Sequence, residues 1–319
     1  MNRRELLFSA ALAAGASLTA PTLGRAAETP AKLRIGWQKA GVLLVAKGRR
    51  SIEKRLEADG VAVEWVEFAF GPPLLEALQA GAIDYGYTGN APPVFAQAAR
   101  ADLVYVAAIP ARGATQAIVV PGDGPLEAVA ELRGKKVAVA KGSSAHDLLV
   151  AATEAAGVKW SDFEPVYLAP ADAAAAFQRG AVDAWSIWDP YFALAEAGPR
   201  AARPLPIAPE VAAQASFFLA NRSYAERYPQ IVAAVNDEIG KAVAWADAHR
   251  DEVAKLYAEA SGVPYAAQKR TVERSDFGLS PLTDAIVERQ QAVADRFHRV
   301  GLIPKPIVVR DIVWRPKSA

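Results

Sequence analysis

LLEALQAGAIDYGYTGN (residues 74–90) and AAAAFQRGAVDAWSIWD (residues 173–189) are two copies of one pattern, and this repeat decides the fold. Each copy runs from an apolar helical segment through a glutamine and a glycine to an aspartate, Asp84 or Asp183, and then into a short apolar strand. A helix that feeds a short buried strand is the building unit of mostly parallel α/β sheets. The repeat therefore predicts two similar α/β lobes that face each other across a cleft suited to a small molecule.

Strand and helix patterns alternate on both sides of the repeat. The predicted strands are 33–37, 61–68, 83–88, 102–109, 115–122, 136–140, 164–168, 182–187 and 215–220. Helical patterns cover 41–58, 73–80, a segment that begins at Pro92, 144–156, 171–179, 189–197, 229–260 and 281–300. This alternation indicates sheets that are covered by helices on both faces.

The chain is expected to change lobes twice. TQAIVVPG (115–122) leads into proline- and glycine-rich punctuation, and ASFFLA (215–220) follows a segment with four prolines (199–210). The expected fold is α/β, with two Rossmann-like lobes joined by a two-segment hinge. We predict lobe 1 at 31–118 and 214–319, lobe 2 at 119–213, and crossings near 117–121 and 211–216.

The first 27 residues have the pattern of an export signal. Arg3 and Arg4 form a twin-arginine start, an apolar stretch follows, and Gly24-Arg25-Ala26 offers small residues where a signal peptidase reads them. The apolar stretch is short for a membrane span, which needs about 20 residues. A buried N-terminal helix is the alternative. We predict a signal peptide over 1–27, of the twin-arginine type, with cleavage after Ala26.

Charge and cysteine content exclude several classes of protein. Cleavage after Ala26 removes Arg3, Arg4, Arg25 and Glu5, which takes the formal net charge from +1 to −1. A chain without basic excess lacks the footprint of a nucleic-acid-binding protein. The sequence has no cysteine, which excludes disulfides, thiolate metal sites and a lipid-anchored cysteine. We expect a monomer that is exported to a periplasm and is not lipid-anchored.

Two loops have the make-up of an anion-binding site. KGSSAH (141–146) follows a strand and opens a helix, where unpaired N–H groups and the helix dipole favour an anion. Ser143 and Ser144 add hydroxyl donors, although a serine can also simply cap the helix. Thr88-Gly89-Asn90 has a similar make-up before the Pro92 helix. Since ligands of open α/β sheets bind beyond the carboxyl ends of the strands, both loops are expected to face the cleft.

Two other strand ends offer candidate ligand contacts. Gln38 follows the first strand and can donate its amide to an oxygen, or can be an exposed loop residue. Trp188 can cover an apolar tail. Asp189 would repel an anion directly, so we expect it at the rim, paired with a cationic group, or capping the next helix.

Signals for catalysis and metal binding are weak. His146, His249 and His298 are too scattered for a metal-ligand spacing. No G-x-S-x-G elbow and no P-loop is present. Asp84 and Asp183 hold matching places in the repeat, which suits turn and strand-start residues better than an acid–base pair. We therefore expect no enzymatic activity, no cofactor and no metal.

Five segments carry a likeness to one known family. They are LRIGWQKAG (33–41), GPPLLEALQAGAIDYGYTGNAPPVFAQAARADLVYV (71–106), KGSSAHDLL (141–149), PADAAAAFQRGAVDAWSIWDPY (170–191) and DIVW (311–314). With these segments, the chain resembles the periplasmic aliphatic sulfonate-binding proteins of ABC importers, within a wider group of taurine- and nitrate-binding relatives. The resemblance covers nearly the whole mature chain.

The resemblance implies a type II periplasmic binding protein that closes by hinge bending, has no catalytic activity and delivers its ligand to the membrane subunits of an ABC importer. It implies that the sulfonate oxygens are held by Gln38, Thr88, Gly89, Ser143 and Ser144. The predicted ligand-binding set is completed by Asn90, His146, Trp188 and Asp189. The alternatives on the same fold are taurine, another oxyanion such as nitrate, a pyrimidine precursor of thiamin and, less favoured, an exported small-molecule enzyme.

Overall fold

The computed structural model describes residues 29–110 and 115–315. The signal peptide predicted over 1–27 lies outside these residues. None of the helices that the two ranges contain has the length and apolar character that crossing a membrane requires.

Within the described residues, ten strands form two five-stranded sheets with the same internal order. The strands are β1 (Lys32–Trp37), β2 (Ala62–Glu67), β3 (Tyr85–Gly89), β4 (Leu103–Ile109), β5 (Gln116–Pro121), β6 (Lys136–Val139), β7 (Glu164–Tyr167), β8 (Ala184–Trp188), β9 (Ala202–Pro204) and β10 (Ser216–Asn221). The first sheet runs β2-β1-β3-β10-β4 and the second runs β7-β6-β8-β5-β9. In each sheet the first three strands are parallel and the fourth pairs antiparallel with both neighbours.

Helices cover these sheets. They are α1 (Val42–Arg49), α2 (Ser51–Glu57), α3 (Gly71–Gln79), α4 (Ala91–Ala98), α5 (Ser144–Ala155), α6 (Pro170–Gln178), α7 (Tyr191–Ala197), α8 (Pro209–Ala212), α9 (Arg222–Arg227), α10 (Pro229–Ala248), α11 (Arg250–Ser261), α12 (Tyr265–Arg274) and α13 (Asp284–Arg299). Lobe 1 is here the first sheet with α1–α4 and α9–α13, and lobe 2 is the second sheet with α5–α8. Each sheet has apolar clusters on both faces, which confirms the predicted α/β class with two lobes.

The two aspartates of the repeat fasten matching strands. The carboxylate of Asp84 accepts a hydrogen bond from the backbone N–H of Arg34 at 2.8 Å, and its own N–H donates to the Arg34 carbonyl at 2.8 Å. Asp183 makes the same pair of bonds with Lys136, also at 2.8 Å each. Both are therefore strand-start residues, and the repeat in the sequence is a repeat in hydrogen bonding.

The crossings between the lobes flank β5 and β10. Strand β5 pairs with β8 from its first residue, Gln116, so the first crossing precedes the predicted 117–121. The second crossing lies between α8 and β10, inside the predicted 211–216. The lobe boundaries at 118/119 and 213/214 stay a prediction.

The structure divides two long predicted helices and adds elements that the sequence patterns did not show. The helix expected over 41–58 breaks at Arg50, which has a left-handed φ of 53°. The helix expected over 229–260 breaks at His249. Strand β9 lies within the segment 199–210, where the sequence patterns predicted no strand, and helix α12 had no predicted counterpart.

Candidate functional site

The lobes enclose a cleft of about 460 Å³. All four strand ends that the sequence pointed to contribute to it, two from each lobe. Seven of the nine predicted ligand-binding residues line the cleft: Gln38, Thr88, Gly89, Ser143, Ser144, Trp188 and Asp189. The other two, Asn90 and His146, are buried beside it.

The two serines at the start of α5 have different roles. Ser143 is the N-cap: its hydroxyl accepts from the N–H of His146 at 3.3 Å and donates to the carbonyl of Ala140 at 2.7 Å. The Ser143 N–H also donates to Ala140, at 3.1 Å. Ser144 lines the cleft, and its hydroxyl has no partner among the described residues. Thus the capping alternative holds for Ser143, while Ser144 keeps a free donor at a helix N-terminus.

The starts of α4 and α5 meet at Gly89 and Ser144. A Cβ added to Gly89 would lie 2.6 Å from the Ser144 Cβ, which is too close for any side chain. Gly89 therefore lets the two helix starts approach, one from each lobe. Two N-termini that converge on one cleft concentrate backbone N–H groups and positive dipole ends at that point.

Thr88 and Gln38 complete the donor end of the cleft. The Thr88 hydroxyl lies beside Gly71, where an added Cβ would come within 2.0 Å of its oxygen. No described residue hydrogen-bonds this hydroxyl, which leaves it available to a ligand. The Gln38 amide donates one proton to the Tyr87 carbonyl at 2.9 Å, which fixes the side chain and leaves its second N–H proton available.

His146 is buried and hydrogen-bonds the loop that precedes α5, and it does not line the cleft. Its Nδ1 accepts from the N–H of Gly142 at 3.1 Å, and its ring lies among the aromatic side chains of both lobes. Burial, with a smaller contribution from Lys141, lowers the pKa of His146 to about 3. The ring is therefore neutral at ordinary pH, as its acceptor role at Nδ1 requires.

Asn90 points away from the cleft into a buried cluster around Asp147. The Asn90 amide donates to Asp147 Oδ2 at 2.7 Å, and Gln214 donates to the same oxygen at 3.0 Å. Arg296 of α13 donates to Oδ1 at 2.6 Å. We call these four residues the Asp147 cluster. Burial raises the pKa of Asp147 although Arg296 and Asn90 oppose the shift.

Asp189 combines two of the roles weighed for it. Its Oδ1 accepts from the N–H of Ala193 at 3.0 Å, which caps α7, and from Arg274 Nη1 at 3.3 Å. Its Oδ2 is buried and has no partner among the described residues. Burial raises the pKa of Asp189 to about 6, against the opposing effect of Arg274. Arg274 lies in α12, so the sequence patterns gave no signal for this partner.

The remaining charges of the cleft are neutralised in pairs. Lys39 and Glu67 form an exposed ion pair at 3.5 Å, and Asp189 is paired with Arg274. The described lining contains no histidine, and residues 29–110 and 115–315 contain no group of three side chains placed to hold a metal. What stays unpaired at the donor end is a set of hydroxyl and N–H groups, and such a set suits an anion that accepts hydrogen bonds.

Comparison with known proteins agrees with this geometry. Residues 56–253 match the family described as NMT1/THI5 like. The chain belongs to this family. Over 310 residues it is 41% identical to an aliphatic sulfonates-binding protein of Escherichia coli (strain K12), and the match covers 96% of each chain.

Solved structures of similar sequence have the same architecture. The alkanesulfonate-binding protein SsuA from Xanthomonas axonopodis pv. citri, bound to MOPS, is 41% identical with a TM-score of 0.86, over 91% of this chain and 100% of that one. The periplasmic aliphatic sulphonate binding protein SsuA from Escherichia coli is 40% identical with a TM-score of 0.83, over 91% and 94%. These matches confirm the predicted periplasmic binding protein fold.

The fold also occurs in an enzyme. The desulfurization enzyme DSZB matches with a TM-score of 0.63 at 20% identity, over 90% of this chain and 97% of that one. At this identity the likeness concerns the fold alone, so the assignment of function depends on the site.

Proposed function

We propose that this protein binds aliphatic sulfonates in the periplasm and delivers them to the membrane subunits of an ABC importer. The observation that carries the proposal is the meeting of the α4 and α5 starts at Gly89 and Ser144, with unpaired hydroxyls of Thr88 and Ser144 at the same end of the cleft. The charged side chains of the lining are already paired: Lys39 with Glu67, and Asp189 with Arg274.

The chemistry of this donor end suits a sulfonate. A sulfonate is permanently ionised, has three acceptor oxygens and has no proton to donate. Hydrogen bonds to a charged group contribute about 1.5–3 kcal/mol each. Four or five such bonds, less the costs of desolvation and of ordering the lobes, correspond to an affinity of about micromolar.

The size of the cleft and the named relatives support a ligand with an organic tail. The cleft of about 460 Å³ extends past the donor end to Trp188 and Tyr191, whose rings can cover apolar carbon. Both SsuA relatives are named for sulfonates that carry an aliphatic group, and one was solved with MOPS. We infer the same ligand class for this chain.

Calorimetry with a matched panel tests the proposal. Hexane-1-sulfonate and heptanoate share one hexyl tail, so the difference in their affinities isolates the head group. MOPS, taurine, nitrate, sulfate and a thiamin-type pyrimidine complete the panel, and the buffer has to be free of sulfonates because MOPS is itself a ligand candidate. We expect about micromolar binding of hexane-1-sulfonate and at least about tenfold weaker binding of heptanoate, which has one acceptor oxygen fewer. Equal affinities, or sulfonate binding weaker than millimolar, would overturn the proposal.

Other panel members decide between the alternatives on the same fold. If taurine, nitrate or the pyrimidine bound more tightly than hexane-1-sulfonate, that compound's class would be assigned as the ligand in place of alkanesulfonates. Mass spectrometry of each ligand after incubation tests the enzyme alternative, and we expect every ligand to be recovered unchanged because the two acids of the described lining, Glu67 and Asp189, are each already paired.

Export makes a separate prediction. We propose that the mature protein is a periplasmic monomer without a lipid anchor, released by cleavage after Ala26. N-terminal sequencing of the secreted protein should begin at Ala27, and its mass should show no added lipid. A chain that keeps Met1 in the periplasmic fraction would contradict the predicted signal.

A further inference from the structure

Three charged side chains connect the lobes beside the cleft. Arg274 ends α12 in lobe 1, and it reaches across to Asp189 and Glu196, at the two ends of α7 in lobe 2. Its Nη1 lies 3.3 Å from Asp189 Oδ1, and its Nη2 donates to Glu196 Oε2. We call these three residues the Arg274 latch.

The latch is desolvated, which distinguishes it from an ordinary surface ion pair. The side chains of Arg274 and Asp189 are only 10% and 2% exposed, and the guanidinium lies 3.9 Å from the ring centroid of Phe192. Exposed ion pairs contribute little to the stability of an arrangement, because water and salt screen them. Truncation of one partner of a buried, hydrogen-bonded charge pair acts mainly on dissociation rates.

The latch shares a residue with the wall of the cleft. Asp189 lies between Trp188 and Pro190 on the loop after β8, and all three residues line the cleft. Arg274 is not among the described lining residues. Arg274 contacts the cleft wall through Asp189, and it holds this loop of lobe 2 against lobe 1.

We propose that Arg274 is a positioning residue that keeps the cleft closed around its ligand and so sets the rate of ligand release. This role rests on the proposed function for the identity of the ligand, and on the contacts of the latch alone for the closure. When the lobes separate, the guanidinium loses both carboxylates together. Arg270 of α12 also lies 3.9 Å from Glu196, but its side chain is 55% exposed, so Arg274 carries most of the coupling between closure and ligand retention.

Release kinetics test the proposal, with MOPS as the probe in a sulfonate-free buffer. Trp188 lines the cleft, so its fluorescence can follow binding. We expect Arg274→Gln to release MOPS about tenfold faster or more, with an association rate within about twofold of the parent. Arg274→Lys should recover part of the loss, since one ammonium can pair with one carboxylate but cannot reproduce the planar fork.

A matched control separates this role from a structural one. Lys269 lies on the same helix and pairs with Asp251 of lobe 1 at 3.4 Å, so Lys269→Gln removes one cation from α12 without touching lobe 2. Lys269→Gln should keep the thermal midpoint of the ligand-free protein, and any loss of ligand-free stability in Arg274→Gln should be smaller than its loss of affinity. Equal release rates for the two variants, or a loss of affinity by Arg274→Gln that matches a loss of ligand-free stability, would overturn the proposal.

A measurement without ligand keeps the latch testable if no sulfonate binds. The chain has no cysteine, so spin labels can be placed at Ala197→Cys of α7 and Ala266→Cys of α12, both exposed. We expect Arg274→Gln to lengthen and broaden the distance between these labels, and Lys269→Gln to leave it unchanged. A shifted distance without sulfonate binding would retain the latch and refute the proposed function. Sulfonate binding with an unchanged distance would retain the proposed function and refute the latch.

Discussion

Two aspartates of lobe 2 each meet an arginine of lobe 1, and their surroundings differ. Asp147, in the first turn of α5, has both carboxylate oxygens occupied by Arg296, Asn90 and Gln214. Asp189, before α7, leaves Oδ2 without a described partner, and its contact with Arg274 is longer.

The difference assigns separate tasks to the two contacts. A buried carboxylate whose hydrogen bonds are all made favours one arrangement of its neighbours. A buried carboxylate with an unpaired oxygen is held less firmly. Asp189 is such a carboxylate, and it lines the cleft. We interpret the Asp147 cluster as the fixed connection between the lobes and the Arg274 latch as the one that opens.

The largest expected effect is the loss of Asp147. Asp147→Ala leaves the amides of Asn90 and Gln214 without their acceptor and leaves Arg296 with only its exposed partner Glu154, so the free energy of unfolding should fall by about 2–4 kcal/mol. Urea titration measures it. Glu154→Gln on the same helix is the control, because Glu154 also pairs with Arg296 but is 46% exposed, and it should cost less than about 1 kcal/mol. Equal losses would remove the distinction between a saturated cluster and a surface pair.

The next effect separates structural from ligand contacts within the first turn of α5. Ser144→Ala should weaken hexane-1-sulfonate binding about tenfold to a hundredfold, since one hydrogen bond to a charged group contributes about 1.5–3 kcal/mol. Its ligand-free stability should not change, because the hydroxyl has no partner among the described residues.

Ser143→Ala is the matched variant one residue earlier. It removes the N-cap of α5 and should lower the free energy of unfolding by about 1 kcal/mol. For both serine variants, calorimetry measures the affinity for hexane-1-sulfonate and urea titration measures the free energy of unfolding. A loss of stability in Ser144→Ala would show that its hydroxyl serves the fold.

The repeat was sufficient to predict the architecture. The α/β class, the two lobes and the positions of nine strands were readable because apolar periodicity and glycine turns are local properties. Asp84 and Asp183 carry that repeat into matching hydrogen bonds. The three-residue strand β9 and the breaks at Arg50 and His249 depend on packing that no local pattern reports.

The candidate site was predictable to the extent that it follows strand ends. Seven of the nine residues chosen from the sequence line the cleft. His146 and Asn90 were placed among the ligand contacts because they neighbour the donor loops, yet one turns back to Gly142 and the other reaches Asp147. Arg274 and Arg296 had no signal at all, since contacts between lobes depend on how two separately folded surfaces meet.

A smaller effect probes how far the Asp147 cluster is saturated. Asn90→Ala removes one of the two donors to Asp147 Oδ2 and leaves Gln214 and Arg296 in place. The free energy of unfolding should fall by about 1–1.5 kcal/mol, well below the loss in Asp147→Ala. Urea titration of the double variant gives the coupling. If the two losses simply added, Asn90 would act elsewhere and the cluster would not be a unit.

The smallest expected effect is the pH dependence that Asp189 gives to binding. In the closed structure burial outweighs Arg274 and raises the pKa of Asp189 to about 6, whereas a carboxyl exposed by opening returns to its ordinary, lower pKa. The closed form therefore binds the proton more tightly, so this contribution favours closure at low pH and is lost as the pH rises through about 6. The affinity for hexane-1-sulfonate, which does not titrate, should rise from pH 7 to pH 5 by at most about tenfold.

The control for this pH dependence is Asp189→Asn, which keeps an acceptor for Ala193 but cannot titrate, and it should flatten this rise. His146 does not contribute in this range because its pKa lies at about 3. An affinity that instead falls on acidification in the parent, and not in Asp189→Asn, would mean that the attraction of the ionised carboxylate to Arg274 exceeds the cost of its burial, and the two interlobe aspartates would then be alike.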